Sequence, residues 1–211
     1  MPNSARTKLR RLPDQGRYDR TTIDAILDAG LICHVGFVED GLPVVIPMLY
    51  ARDADRIIMH GSSASRLTQA LSTGLDACLN VTLVDGLVLA RSAFNSSMNY
   101  RSVVIFGRAT AIKDPADKTR ALRLFSEHIM PGRWEEIRPP KDIELTATFV
   151  LQMPIEEASA KVRTGPPKDN AEDLDLPMWA GVVPLKLRRG EPVTDTLDIG
   201  IPRYVLDDPR F

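Results

Sequence analysis

The sequence predicts an antiparallel sheet or barrel with a few helices inserted between its strands. Three observations carry this reading. Short β-rich runs at 31–38, 44–50, 56–60, 76–84, 87–90 and 100–112 follow one another directly. Glu39-Asp40-Gly41, Arg52-Asp53-Ala54-Asp55 and Asp85-Gly86 stand between them as turns, with Asp-Gly as a hairpin signal. Helical periods are few and do not alternate with the strands, as a doubly wound fold would require.

Taken in order, residues 1–20 form a basic arm with six Arg/Lys (Arg6, Lys8, Arg10, Arg11, Arg17, Arg20) against Asp14 and Asp19. Little in it is apolar, so it reads as an extended surface arm, solvated or laid on a partner subunit. Thr21 to Ala29 is a short helix: Thr21 or Thr22 can cap it, Ile23, Ile26 and Leu27 share one face, and Gly30 stops it. In the strand at 44–50, Pro47 implies an edge or a bulge, because proline has no N–H for the ladder.

A helix opens after Gly61-Ser62-Ser63-Ala64-Ser65-Arg66 and runs through Leu67, Ala70 and Leu71. Asn95-Ser96-Ser97 is a loop before the long strand 100–112. Asp114-Pro115 caps a helix from Ala116 to about Met130, with Leu122, Phe125 and Ile129 on its apolar face. A further strand is expected over 144–153. Then come 158–164, a Gly165-Pro166-Pro167 break, an acidic loop and a last apolar segment at 178–185. The chain divides into the arm 1–20, a main domain 21–190 and a tail 191–211.

Composition narrows the function. With 211 residues the prior is one domain. The 27 Lys+Arg and 28 Asp+Glu nearly cancel, giving a net charge of −1. That argues against a bulk electrostatic partner such as duplex DNA or an acidic membrane. No apolar run approaches a membrane span, and the N-terminus lacks the apolar stretch of a secretory signal. Cys33 and Cys78 are far apart and read as reduced, buried thiols, so a cytoplasmic protein is expected. There is no G-x-G-x-x-G, Walker A or G-x-S-x-G sequence. His34, His60 and His128 show no H-x-H or H-E-x-x-H spacing, and no metal site is expected from them.

Three constellations carry chemistry. The first is His60 with Ser63, Ser65 and Arg66, where a strand end, small residues and a helix start gather N–H groups, hydroxyls and a guanidinium. Such a point suits a phosphate, although spacing alone favours an ordinary serine-capped helix with a solvated arginine. The second is Asn99-Tyr100-Arg101-Ser102 at the head of an apolar strand, where alternation can put Arg101 and Ser102 on opposite faces. The third is Lys161, Arg163 and Trp179; a Trp in a Gly/Pro-rich loop is a lid, a stacking residue or simply core.

In order, Gly41-Leu42-Pro43-Val44-Val45-Ile46-Pro47, Ile58-Met59-His60-Gly61 with Ser65-Arg66, Asn99-Tyr100-Arg101-Ser102-Val103-Val104-Ile105-Phe106-Gly107, Lys161-Val162-Arg163 with Gly165-Pro166-Pro167, and Trp179-Ala180-Gly181-Val182-Val183-Pro184-Leu185 resemble the pyridoxamine 5′-phosphate oxidase-like, FMN-binding split-barrel family. The resemblance spans roughly residues 15–190 and is closest to the branch containing nitroimidazole-resistance proteins. It implies a six-stranded antiparallel Greek-key split β-barrel, a homodimer, and FMN in clefts between subunits.

By position, Ser65 and Arg66 resemble the phosphate-binding pair, with Ser63 beside them. Val45, Ile46 and Pro47 resemble the strand along the flavin ring. Tyr100, Arg101, Ser102 and Lys161 resemble polar contacts, and Trp179 a residue reaching the flavin from the other subunit. His60 aligns near a ligand-site histidine and is the candidate catalytic residue. The implied function is an FMN-dependent oxidoreductase passing hydride or electrons from NADH or NADPH to a small acceptor, a nitroaromatic among the options. Alternatives are a haem-binding split barrel and a flavin-binding protein without turnover; some relatives bind haem or a deazaflavin. The R-L-H-x-R type tail of true pyridoxamine phosphate oxidases is replaced by Ile201-Pro202-Arg203-Tyr204-Val205-Leu206-Asp207-Asp208-Pro209, which argues against vitamin-B6 oxidation.

Overall fold

The computed structural model describes residues 4–195 and 199–207; the first three residues of the arm, and 196–198 and 208–211 of the tail, lie outside it. In chain order the elements are β1 (Gly16–Arg17), α1 (Arg20–Ala29), β2 (Ile32–Glu39), β3 (Leu42–Asp53), β4 (Arg56–Ser62), α2 (Arg66–Ser72), β5 (Asp76–Leu89), β6 (Ser97–Arg108) and β7 (Thr110–Ile112). Then follow α3 (Pro115–Ile129), α4 (Asp142–Ala147), β8 (Thr148–Pro154), β9 (Glu157–Arg163), β10 (Gly181–Pro184) and α5 (Arg203–Leu206).

Every strand pair among the described residues is antiparallel, in the order β1-β9-β6-β5-β2-β3-β4-β8-β7, with β10 added to β5. The run β6-β5-β2-β3-β4-β8 curls into a six-stranded split barrel. Its circuit closes through the chain itself, because β6 runs past Ala109 into β7, which pairs with β8. The closing side is therefore a bend in one strand rather than a ladder. The strand expected over 100–112 breaks there, with Ala109 turned into the core at 2% exposure.

The barrel interior is filled by alternate residues of these strands, among them Val35, Phe37, Leu79, Val81, Val103, Ile105, Leu151 and Met153. Two helices plug it: α1 through Ile23, Ile26 and Leu27, and α2 through Leu67, Ala70 and Leu71. A smaller cluster lies outside the barrel, where Phe125 and Ala121 of α3 cover Ala51, Ile58, Ile112 and Val150. So β3 and β4 are covered on both faces where α3 crosses them.

Local chemistry explains the departures from expectation. The cap of α1 is Asp19, not Thr21 or Thr22: its carboxylate accepts from Thr22 N at 2.8 Å, and this holds the carboxyl below its usual pKa range. The segment expected as a strand from Glu144 begins one helical turn later. Glu144 Oε2 accepts from Lys141 N and Arg138 Nη1, each at 2.8 Å, which ties 142–147 into α4. A carboxylate three residues in that reaches back to the helix entry outweighs the weak β-propensity of Glu-Leu-Thr-Ala.

The basic arm lies along its own chain. Arg6 pairs with Glu157, Thr7 is buried, and β1 pairs with β9 at Gly16↔Lys161. Pro47 does sit at an edge: β3 pairs with β2 over 42–49 and with β4 only over 50–53, so one side of Pro47 is open.

Candidate functional site

The candidate residues fall into two regions, decided by the β alternation. In antiparallel sheets, directly opposed residues share a face. Pro47, His34, Asn80 and Val104 form one cross-strand row, and Ser102 opposes Thr82 and Lys161 in a neighbouring one. Val45, Pro47, Tyr100, Ser102 and Lys161 therefore share the outer face of the sheet β3-β2-β5-β6-β9. That face is unusually apolar: Ile32 is 52% exposed, Val38 58% and Val45 64%.

Ile46 and Arg101 point to the other side. Ile46 packs against the barrel core. Arg101 donates from Nε and Nη2 to Asp85 at 2.9 and 2.8 Å, beside Leu185–Arg188. The opposite-face placement of Arg101 and Ser102 expected from alternation is what the ladder produces.

At the end of β4, Ser62 to Ser65 turn the chain into α2. Thr68 Oγ1 shapes the turn by donating to Ser62 O and Ser65 O at 2.7 and 2.9 Å. Ser65 is the cap residue, yet its hydroxyl makes no cap bond and stays available. Ser63 is exposed at the tip. Arg66 reaches back to pair with Glu39 at the β2–β3 hairpin while remaining mostly exposed. Trp179 is 67% exposed and lies over Gly181; a Cβ there would come within 2.8 Å of Trp179 Cζ2. Glycine at the start of β10 is what lets the indole lie so close.

The second region is the cleft into which His60 turns. Ile57 and Met59 face the barrel, so His60 faces outward under α3. The cleft, of about 420 Å³, is walled by Leu122, Phe125, Ile129, Trp134, Ile137 and Pro140, with Arg138 and Glu144 as its charged members. The His60 ring meets Phe125 edge-on at 4.3 Å between centroids. Neither ring nitrogen has a hydrogen-bond partner among the described residues, and burial holds the pKa below its ordinary 6.5. The imidazole is neutral at pH 7, with a lone pair free for a ligand in apolar surroundings.

The other histidines differ. His128 Nε2 is bonded to Gly30 O at 2.7 Å, and His34 is exposed on the outer sheet face. Sequence reasoning singled out His60 but missed the walls around it. The apolar face of α3 was legible in Leu122, Phe125 and Ile129; that it roofs a histidine was not, because the crossing of α3 over β4 leaves no local signal.

The fold has counterparts in solved structures. The flavocytochrome Anf3 from Azotobacter vinelandii is 46% identical, with 97% of each chain covered and a TM-score of 0.92. The FAD and heme binding protein from Mycobacterium smegmatis is 36% identical, covering 91% of this chain and 96% of that one, with a TM-score of 0.86. A protein described as a 5-nitroimidazole antibiotic resistance protein, from Bacteroides thetaiotaomicron, shares the fold at 22% identity and a TM-score of 0.59, over 70% of this chain and 86% of that one. No curated protein sequence gives a significant match. Residues 19–162 match the family described as pyridoxamine 5′-phosphate oxidase, and over that span, with its split barrel and its two highly similar solved relatives, the chain belongs to that family.

Proposed function

We propose that this protein binds both a flavin and a haem and works as a redox protein, taking electrons from a nicotinamide nucleotide (NADH or NADPH) and delivering them to a small acceptor. The observation that carries the reading is His60: a neutral imidazole with no hydrogen bond, opening into an apolar cleft. His60 would ligate the iron of a haem seated in this cleft, and the apolar walls would suit its macrocycle. Leu122, Phe125, Ile129 and Trp134 would hold the ring and exclude water, while Arg138 would face a carboxylate-bearing edge. Two relatives, 46% and 36% identical, are named for both cofactor types.

The flavin belongs to the outer sheet face in this reading, with Val45, Pro47 and the backbone of Ile46 along the ring and Tyr100, Ser102 and Lys161 as polar contacts. Ser63, Ser65 and Arg66 take the phosphate. Arg101 turns to the opposite side of its strand and is paired with Asp85, so it makes no direct contact with the flavin in this reading. The sequence resemblance named FMN, whereas the Mycobacterium smegmatis relative is named for FAD; the shared requirement is an isoalloxazine and a phosphate, met by a flavin nucleotide of either kind. A flavin exchanges two electrons with a nicotinamide and one at a time with an iron centre, which is the chemistry the pair would supply. The chain's own part is to bind, orient and shield.

A half-open sheet face needs a cover, and a second copy of the chain supplies it in this reading, with Trp179 reaching across. A homodimer in the cytoplasm, acting on small molecules and not on nucleic acid or membrane, completes the proposal. No helix among the described residues is long and apolar enough to cross a membrane.

The test is the absorption spectrum of freshly purified protein, followed by release and identification of its chromophores. A Soret band together with flavin absorbance is expected. A protein that carries neither, and takes up neither when they are added, contradicts the reading; flavin alone without donor oxidation supports a binding protein without turnover.

A further inference from the structure

A separate cleft of about 510 Å³ lies where the N-terminal arm crosses the end of β9 and the β5–β6 loop. It shares no wall with the His60 cleft and contains none of the flavin candidates. Four cations line it: Arg11 and Arg17 from the arm, Arg163 from the end of β9 and Lys168 from the following loop. Asp14 is the one carboxylate among its walls.

None of the four cations forms a salt bridge among the described residues, although salt bridges are common elsewhere on this surface. Arg17 spends Nη1 on the backbone oxygens of Asp14 and Gly16, and Arg163 spends Nη1 on Asn99 Oδ1; neither is drawn into a salt bridge. For a chain with a net charge of −1, this local excess is not a general property.

An aromatic ring stands at the same place. Phe94 lines the cleft and is 91% exposed, with no apolar partner to justify it.

The walls are held rigidly. Asp169 takes hydrogen bonds from Arg91 N and Nη1 at 2.9 and 2.8 Å, and Asn99 Nδ2 donates to Gly165 O at 3.1 Å. The loop bearing Lys168 is thus pinned to the β5–β6 side from two directions.

We infer that this cleft binds a nucleotide of the adenylate class, its phosphates met by Arg11, Arg17, Arg163 and Lys168 and its base stacked on Phe94. Guanidinium and ammonium groups answer a polyphosphate, and an open phenyl ring answers a planar base. The volume is in the range of small-ligand sites. This assignment does not rest on the haem reading, because every residue in it lies outside that cleft.

Calorimetric titration with ADP tests it, on the protein as isolated and on protein stripped of flavin, with circular dichroism to verify the fold of each sample. Inorganic pyrophosphate is the second probe. Saturable ADP binding is expected, weakened at least tenfold in the double variant Arg11→Ala/Lys168→Ala and about tenfold in Phe94→Ala. Pyrophosphate binding should fall in the first variant and not in the second.

Displacement of ADP by NADH from protein that keeps its flavin assigns the site to the nicotinamide donor. Binding of ADP only after flavin removal, with displacement by FAD, assigns it to the adenylate half of a flavin dinucleotide. Both are nucleotide occupancy and support the inference. Loss in the cation variant with Phe94→Ala silent overturns the nucleotide assignment. Absence of saturable ADP binding to either form, or binding indifferent to all three substitutions, overturns the site itself.

Discussion

His60 and Phe125 meet edge to face, with ring centroids 4.3 Å apart and planes inclined by 77°. The contact joins β4 to α3 and orients the imidazole inside an apolar cleft. Such a pair contributes about 0.5–1.5 kcal/mol, enough to favour one rotamer. It offers no hydrogen bond, so the histidine is held in place without being chemically spent.

The pH dependence of stability follows. Burial lowers the folded-state pKa of His60 below its ordinary 6.5. The unfolded chain therefore binds more protons than the folded one between the two values, and stability falls as pH drops through 6.5 towards the folded value. Urea titrations across that window should show the loss in the wild type, and a smaller loss in His60→Phe, which has no proton to take up.

Arg66 is predicted to exchange partners. Its ion pair with Glu39 is exposed and worth at most about 1 kcal/mol, whereas a charge-assisted bond to phosphate is worth about 1.5–3 kcal/mol. Phosphate should win. Flavin titration should show Arg66→Ala weakening retention by about tenfold or more and Glu39→Gln leaving it equal or tighter. Unchanged affinity in Arg66→Ala removes this arginine from the site.

Gly30 ends α1 in a space with no room for a methyl group: a Cβ would come within 2.6 Å of both Tyr50 Oη and Val81 Cγ1. Tyr50 cannot move away cheaply, since its buried hydroxyl donates to Leu27 O at 2.5 Å. Gly30→Ala should therefore destabilise the fold by about 1–3 kcal/mol, read as a lower urea midpoint with little change in slope.

The apolar outer face should be an interface between two copies. Ile32, Val38 and Val45 are all more than half exposed on one sheet face, and contiguous patches of that kind mark interaction sites. Sedimentation at micromolar concentration should give a dimer, and Ile32→Asp/Val45→Asp a monomer that also loses flavin. A wild-type monomer contradicts the covered-face account.

Much of this was legible in the residues. Alternation at 31–38 and 44–50, the Asp40-Gly41 turn and the proline at 47 placed β2, β3 and the open edge, because period and turn chemistry are local. The helical start of 142–147 was not legible: it depends on Arg138 and Glu144 closing on each other, in a segment whose own propensities are indifferent. The arm lies at the surface as expected, but its attachment to its own chain was not legible, for a related reason. Arg6 looks like a solvated charge until Glu157, far along the chain, is brought beside it. His60 stood out as a strand-end histidine, but its neutrality and freedom come from α3, which no spacing around residue 60 reveals.

The most direct test of the central claim is the visible spectrum of His60→Ala beside the wild type, each with and without added imidazole. The account predicts that His60→Ala loses or shifts the Soret band, keeps its flavin absorbance, and regains a wild-type-like band when imidazole fills the space. An unchanged Soret band in His60→Ala would show that the iron is held elsewhere.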